Sequence, residues 1–293
     1  MSFGRKTALA CIAFMRRPWS IFRETYSAWK RHDAPRIGAA LAFYAALSLA
    51  PLVILVLAIV GLIFGHSAAQ SQLLGQVEGL IGPRGGEAVK GIMEHAGNPA
   101  SGAFSSVIGL ITLLLGASGV FGELRSALDK MWDVESEAKG MWLVIKQRFF
   151  SFGMVLAIGF LLLVSLVISA FLAALGKFFA ERLPLPEGVL SGINLAISLA
   201  GTGVLFALIF KYLPDAKIDW KDVWLGAMFT ALLFTIGKFL IGLYLGKAAV
   251  GSAYGAAGSL IVVLVWLYYS AMVFLFGAEF TRVLARGSRQ PEG

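Results

Sequence analysis

Six stretches of the chain lose their polar positions for long enough to cross a bilayer: about Ile37 to Phe64, Ala103 to Leu124, Phe149 to Leu175, Val189 to Phe210, Val223 to Leu245 and Ala256 to Leu284. A hydrocarbon core of about 30 Å needs about 20 apolar residues in a helix. Lipid forces backbone polar groups to pair within a segment, and none of the runs alternates in the manner of a membrane β-barrel. The pattern therefore predicts an all-α, polytopic membrane protein with six transmembrane helices. The third run continues towards Ala180, which fits a tilted helix.

Two patterned segments lie outside these runs. Between the first and second, Leu73, Leu74, Val77, Leu80 and Ile81 form one apolar stripe, and Val89, Ile92 and Met93 form another. Gly82, Pro83, Arg84, Gly85 and Gly86 separate them. This predicts an amphipathic helical hairpin at about residues 68–97, too polar to span, acting as a structural lid or as a gate. Near the start, Trp19, Phe22, Tyr26 and Trp29 recur at helical spacing with Arg23, Lys30 and Arg31 off the stripe. That pattern suits a helix on the inner membrane surface or one packed on the mouth of the bundle. The apolar stretch Thr7 to Met15 ends on Arg16 and Arg17 without a cleavage site and is expected to be retained.

Composition strengthens the membrane reading. The chain has 293 residues, of which 58% are hydrophobic and 14% charged, against about 25% charged in an average soluble domain. A soluble enzyme, a disordered chain and a disulfide scaffold are all excluded. Cys11 is the sole cysteine, so no intrachain disulfide or multi-cysteine zinc site can form.

The charges then orient the spans. Of 25 Lys and Arg, eight precede the first run, and nineteen in all fall on that side of the six-span arrangement. Five (Arg84, Lys90, Lys177, Arg182 and Lys247) fall on the other. By the positive-inside rule both termini are cytoplasmic. The expected division is a basic cytoplasmic segment over residues 1–36, a transmembrane domain over 37–285 and a cytoplasmic tail over 286–293. The net charge of +8 is thereby explained by topology, and no nucleic-acid partner is expected. The partners expected are membrane lipids, with anionic headgroups drawn to the cytoplasmic face; a homo-oligomer is compatible with the pattern.

Catalytic chemistry has little to stand on. His32, His66 and His95 lie in different loops, and no paired-histidine zinc motif, phosphate-binding glycine loop or nucleophile-elbow pattern occurs. No catalytic residue, metal or cofactor is expected. What remains is polar residues within the spans, which are costly in lipid and so are functional candidates. Lys238, about ten residues from the outer end of the fifth span, is either a contact on a substrate or ion path or a snorkelling side chain. Pro51, with Ser48 a turn earlier, should bend the first span and free backbone carbonyls, with or without a site at the bend. Glu123, Arg125, Asp129, Arg148, Glu279 and Arg282 gather at the cytoplasmic side and read as an inner-mouth charge cluster, which Asp133 can extend. Glu279 and Lys238 fall at different depths and should not pair. Glycine rows at Gly116, Gly119 and Gly122, and at Gly242 and Gly246, read as helix-packing positions.

Several runs then resemble a known family together. They are Gly38-Ala-Ala-Leu-Ala-Phe-Tyr44 with Leu47-Ser-Leu-Ala-Pro51, Lys211-Tyr-Leu-Pro-Asp215 with Trp220-Lys-Asp-Val-Trp224, Ser252-Ala-Tyr-Gly-Ala-Ala-Gly258, Trp266-Leu-Tyr-Tyr-Ser270 and Gly277-Ala-Glu279. In this order they resemble the YihY/BrkB family of bacterial inner-membrane proteins over about residues 25 to 285. The resemblance implies six helices and cytoplasmic termini. It carries an old label as ribonuclease BN, regarded as a misassignment, and others as a serum-resistance or virulence factor or a transporter of unproven substrate, with some members linked to envelope lipid export and no agreed catalytic residues. The family pattern has Gln where Met272 stands and Asn where Asp129 stands. The function expected is a transporter or flippase-like protein for an amphiphilic or anionic envelope molecule. The alternatives are a non-transporting scaffold of an envelope complex and, remotely, a membrane-bound ribonuclease.

Overall fold

The computed structural model describes residues 19–96, 119–134, 187–247 and 257–289, apart from positions 121 and 217. All regular structure among them is helical. In chain order the helices are α1 (19–31), α2 (Ala34–Phe64), α3 (His66–Ala96), α4 (119–131), α5 (Glu187–Tyr212), α6 (Trp220–Lys247) and α7 (Gly258–Arg289). Helices α2, α5, α6 and α7 cover the first, fourth, fifth and sixth apolar runs. Most of the second run and all of the third lie outside the described residues. Three described helices are long and apolar enough to cross a membrane: Leu195–Tyr212, Trp220–Tyr244 and Gly258–Arg286.

α7 is the central helix. From Ile261 to Ala285 no residue is exposed, as in a helix with neighbours on several sides. It packs on α2, α3 and α6, while α5 packs on α6 and α3 also touches α6. The shared core contains Leu41, Leu128, Met131, Phe210, Val223 and Leu275. Outward, α6 exposes Leu225, Met228, Leu232, Ile236, Phe239 and Leu243, spaced three and four apart. Such an apolar stripe is far more than a soluble monomer leaves bare, and it suits contact with lipid.

Close helix contact comes from two matched pairs. Gly226 and Thr230 on α6 face Thr281 and Gly277 on the antiparallel α7. A Cβ on Gly226 would stand 2.6 Å from Thr281 Cβ, and one on Gly277 2.6 Å from Thr230 Cγ2. Each threonine hydroxyl donates at 2.7 Å to the carbonyl of the glycine four residues earlier in its own helix. The hydroxyls are thus satisfied inside their helices, and their oxygens, with Cβ and methyl behind, occupy the space that the missing Cβ leaves, which allows close backbone approach in an apolar medium. Gly237 makes a similar approach to Tyr269. The described packing contacts on α6 fall on Gly226 and Gly237; at the expected Gly242 an added Cβ would meet no described atom within 4 Å. Gly119 does pack, against the Tyr44 ring at 3.1 Å, whereas a Cβ on Gly122 would meet no described atom within 4 Å and Gly116 lies outside the described residues.

α3 is two helical halves joined at Gly82, whose φ of 79° and ψ of 175° break the helix at a backbone geometry that favours glycine. Across the break Glu78 lies against Gly86 and Ile81 against Gly85. Leu73, Leu74 and Val77 of the first half and Val89, Ile92 and Met93 of the second pack on Leu49, Val53 and Leu57 of α2.

Candidate functional site

Charged residues converge at the end of the bundle where α7 finishes, and two aspartates in the left-handed region help to place them. Asp33 (φ 56°) ends α1, and its amide bonds to Lys30 O at 3.2 Å. Pro35 then opens α2 within its first two residues, where the amide hydrogen that proline lacks would have no intrahelical partner anyway. This turn sets His32 on the last turn of α1. Asp133 (φ 50°) ends α4 in the same way, with Asp133 N bonded to Lys130 O at 3.2 Å and Val134 N to Asp129 O at 2.9 Å. That is a Schellman motif with aspartate in the position glycine usually holds.

Helix α1 packs through Thr25, Ala28 and His32, all buried, while Trp19, Phe22 and Tyr26 are exposed. Phe22 and Trp29 both meet Phe276 of α7. One turn further along α7, His32 reaches the first part of the charge network. Its Nδ1 contacts Oε1 of Glu279, a side chain with no exposed surface. Its Nε2 lies 3.1 Å from Oδ1 of Asp133, which is half-exposed. The buried Arg282 donates to Glu279 Oε2 at 3.1 Å, to Met131 O at 2.9 Å and to Asp133 Oδ2 at 2.7 Å. Arg286 adds a bond to Asp133 Oδ2 at 2.8 Å. Helices α1, α4 and α7 are thereby tied at one point. The ring nitrogens of His32 address different carboxylates, so His32, Asp133 and Glu279 do not converge on one centre as metal ligands would. Among the described residues no group of three His, Cys, Asp or Glu is arranged to hold a metal.

A second part joins α4 to the turn after α5. Arg125 pairs with Asp215 and lies 3.8 Å from the buried Asp129, and the amide of Asp215 donates to Asp129 Oδ1 at 2.8 Å. Lys211 closes the same turn by donating to Ile218 O at 2.5 Å and resting 5.6 Å over the Trp220 ring. Between the two parts lies an open cavity of about 380 Å³ lined by Trp132, Val134, Asp215, Ala216, Arg282 and Arg286.

The electrostatics differ across the cluster. Burial pushes the Asp129 carboxyl above its ordinary value and the Asp215 charge adds to this; the Asp215 amide and Arg125 only partly oppose them. Burial acts the same way on Asp133, but there Arg282, His32 and Arg286 together outweigh it and hold the carboxyl below its ordinary value.

Of the sequence-predicted cluster, Glu279 and Arg282 meet directly, and Arg125 and Asp129 sit beside them in the second part. Glu123 makes no ion pair among the described residues, and Arg148 lies outside them. His32, Arg286 and Asp215 were not among the expected members. A signal for His32 does exist, since Thr25, Ala28 and His32 form a small or polar face at i, i+3 and i+7 beside the aromatic stripe. Lys238 is half-buried, with no ion pair among the described residues. The register of α6 on α7, set by the Gly226–Thr281 and Thr230–Gly277 contacts, puts it roughly ten residues, or about 15 Å, from Glu279 along the helix axis. Ser48 donates to Ala45 O at 3.0 Å. α2 continues through position 51, while the Pro51 side chain is outside what is described.

The family described as "Virulence factor BrkB" matches residues 25–293. The ribonuclease-like protein YfkH of Bacillus subtilis is 24% identical over 277 residues, covering 93% of this chain and 98% of that protein. A UPF0761 membrane protein of Pseudomonas aeruginosa is 26% identical over 248 residues, 84% of this chain and 58% of its own. One of Verminephrobacter eiseniae is 28% identical over 281 residues, 92% of this chain and 63% of its own. The chain thus spans about three-fifths of the length of these two UPF0761 relatives. No solved structure matches it.

Proposed function

The chain belongs to the BrkB virulence-factor family of integral membrane proteins, and on that premise we propose that it moves an amphiphilic or anionic envelope molecule across the bacterial inner membrane. In this reading six helices span the bilayer: α2, α5, α6, α7 and the apolar runs at 103–124 and 149–175. Both termini are cytoplasmic, on the side where nineteen of the 25 basic residues fall. The two halves of α3 form an outer hairpin over α2, and the charged end of the bundle is the inner mouth.

The observation that carries the proposal is Lys238. A lysine well inside an apolar span, half-buried and with no ion pair among the described residues, is costly to keep unless something charged visits it. The cavity at the charged end supports the same reading, because Arg282 and Arg286 on one wall and Asp215 on another suit a polar headgroup. Ser48 and Pro51 belong to the proposed path. The test is reconstitution in proteoliposomes with fluorescent anionic phospholipid in one leaflet. Wild type should move the lipid between leaflets and Lys238→Met should not. Equal transport by both would remove Lys238 from the path, and no transport by wild type for any envelope lipid would remove the proposal.

A scaffold that holds an envelope complex is the second reading, favoured by the exposed Trp19, Phe22 and Tyr26 of α1. Replacing the exposed Trp19 and Tyr26 with Ser should then abolish partner capture while leaving the packed face of α1, and so the bundle, intact. The family description is not an enzyme class, and the ribonuclease-like name belongs to the Bacillus relative. Purified protein tested on tRNA with divalent metals checks that remote alternative.

A further inference from the structure

Resting on the reading that the charged end faces the cytoplasm, we propose that His32 is a proton relay that loads the buried Glu279 from the aqueous side through Asp133. The geometry is that of a bridge between two unlike carboxylates. Asp133 is 47% exposed and Glu279 has no exposure at all, and one nitrogen of the same ring addresses each. Imidazole can accept a proton at one ring nitrogen while giving one up at the other. A purely structural lock would be served as well by a permanent cation.

The step balances within three residues. A proton on Asp133 Oδ1 passes to His32 Nε2, and the proton on Nδ1 passes to Glu279 Oε1. The ring has gained one and lost one, Asp133 ends as a carboxylate, and Glu279 ends as a neutral acid. Arg282 makes that end state tolerable. It bonds both carboxylates, Glu279 at 3.1 Å and Asp133 at 2.7 Å, so neutralising Glu279 leaves the buried guanidinium with a counter-charge. Arg282 and Arg286 favour the carboxylate form of Asp133, so Asp133 hands a proton on and does not store it. Arg282 Nη1 also stands 3.4 Å from His32 Nδ1, and the other charges facing the relay are paired. Arg286 bonds Asp133, Asp33 and Arg36 pair with each other at 3.6 Å at the start of α2, and Arg125 neutralises the Asp129 and Asp215 side of the cluster.

The test uses the full chain in phosphatidylethanolamine and phosphatidylglycerol nanodiscs, followed by infrared difference spectroscopy after a downward pH jump. In an Asp129→Asn background, which removes the other carboxyl that burial pushes up, a protonated-carboxyl C=O band should appear and be missing once Glu279→Gln is added. In His32→Gln it should arrive about 100-fold more slowly, the scale of a lost proton-transfer group, and added imidazole should restore the rate. Asp133→Asn, altered on the exposed side, should slow the band without removing it, and keeps the relay testable if His32→Gln does not fold. A band that persists in Glu279→Gln overturns the proposal, as does wild-type speed in either relay variant. No transported molecule enters the measurement. A protein that loads Glu279 but moves no lipid keeps the relay and loses the transport reading; lipid movement without a Glu279 band does the reverse.

Discussion

Arg282 and Glu279 should behave as a coupled pair whose removal together costs little more than removal of one. Arg282 is 3% exposed and bonds Glu279, Asp133 and Met131 O. Breaking a buried ion pair from one side costs about 3–5 kcal/mol, because the remaining charge is left without compensation. Arg282→Met leaves Glu279 with His32 alone and strips Met131 O of its donor, so about 4 kcal/mol is expected. Glu279→Met leaves Arg282 its bonds to Asp133 and Met131 O, and about 3 kcal/mol is expected. In the double variant no buried charge is orphaned and two apolar side chains fill the space. Its cost should stay near that of Arg282→Met, a coupling of about 3 kcal/mol against simple addition. The assay is reversible unfolding in mixed micelles, read by tryptophan fluorescence, for which Trp29 and Trp132 adjoin the network. Additive costs, with coupling under about 0.5 kcal/mol, would refute the argument that the pair acts as one buried unit.

Gly226→Val and Gly277→Val should each destabilise the bundle by about 1–3 kcal/mol through collision with Thr281 and Thr230, whereas Gly242→Ala should fall within about 0.5 kcal/mol of wild type in the same unfolding assay. The two acidic groups outside the spans predict opposite responses to pH. Asp133, lowered from 3.8, contributes stability that is present above its unfolded value and lost as pH falls through its folded one, so Asp133→Asn should remove an acid-induced loss below pH 3.8. Asp129, raised from 3.8, binds its proton more readily when folded; stability should rise as pH falls through its folded value, and Asp129→Asn should flatten that rise in a denaturation series. Trp19, exposed on α1, should be quenched by lipids brominated near the headgroup and not by lipids brominated at the chain ends, as for a helix lying in the interface; no quenching by either would remove α1 from the membrane surface.

Apolar runs long enough to span, the surplus of Lys and Arg on one side, and the glycine break between two amphipathic stripes are all properties of neighbouring residues. Solvent transfer and backbone hydrogen bonding act on them locally, so the order of residues suffices to read α2, α5, α6 and α7 to within a few positions. The partners of each charge are another matter. His32, Asp133, Asp215 and Arg282 are far apart along the chain, and their meeting depends on the left-handed turns at Asp33 and Asp133 and on how far α6 and α7 approach. That approach is set by Gly226 and Gly277, which no charge pattern singles out, and by threonines that look like ordinary span residues. Sequence spacing could put Glu279 and Lys238 at different depths, because helix rise alone decides depth. Only packing could put an imidazole between a buried carboxylate and an exposed one, because that is decided by contacts among three helices and not by the periodicity of any one of them.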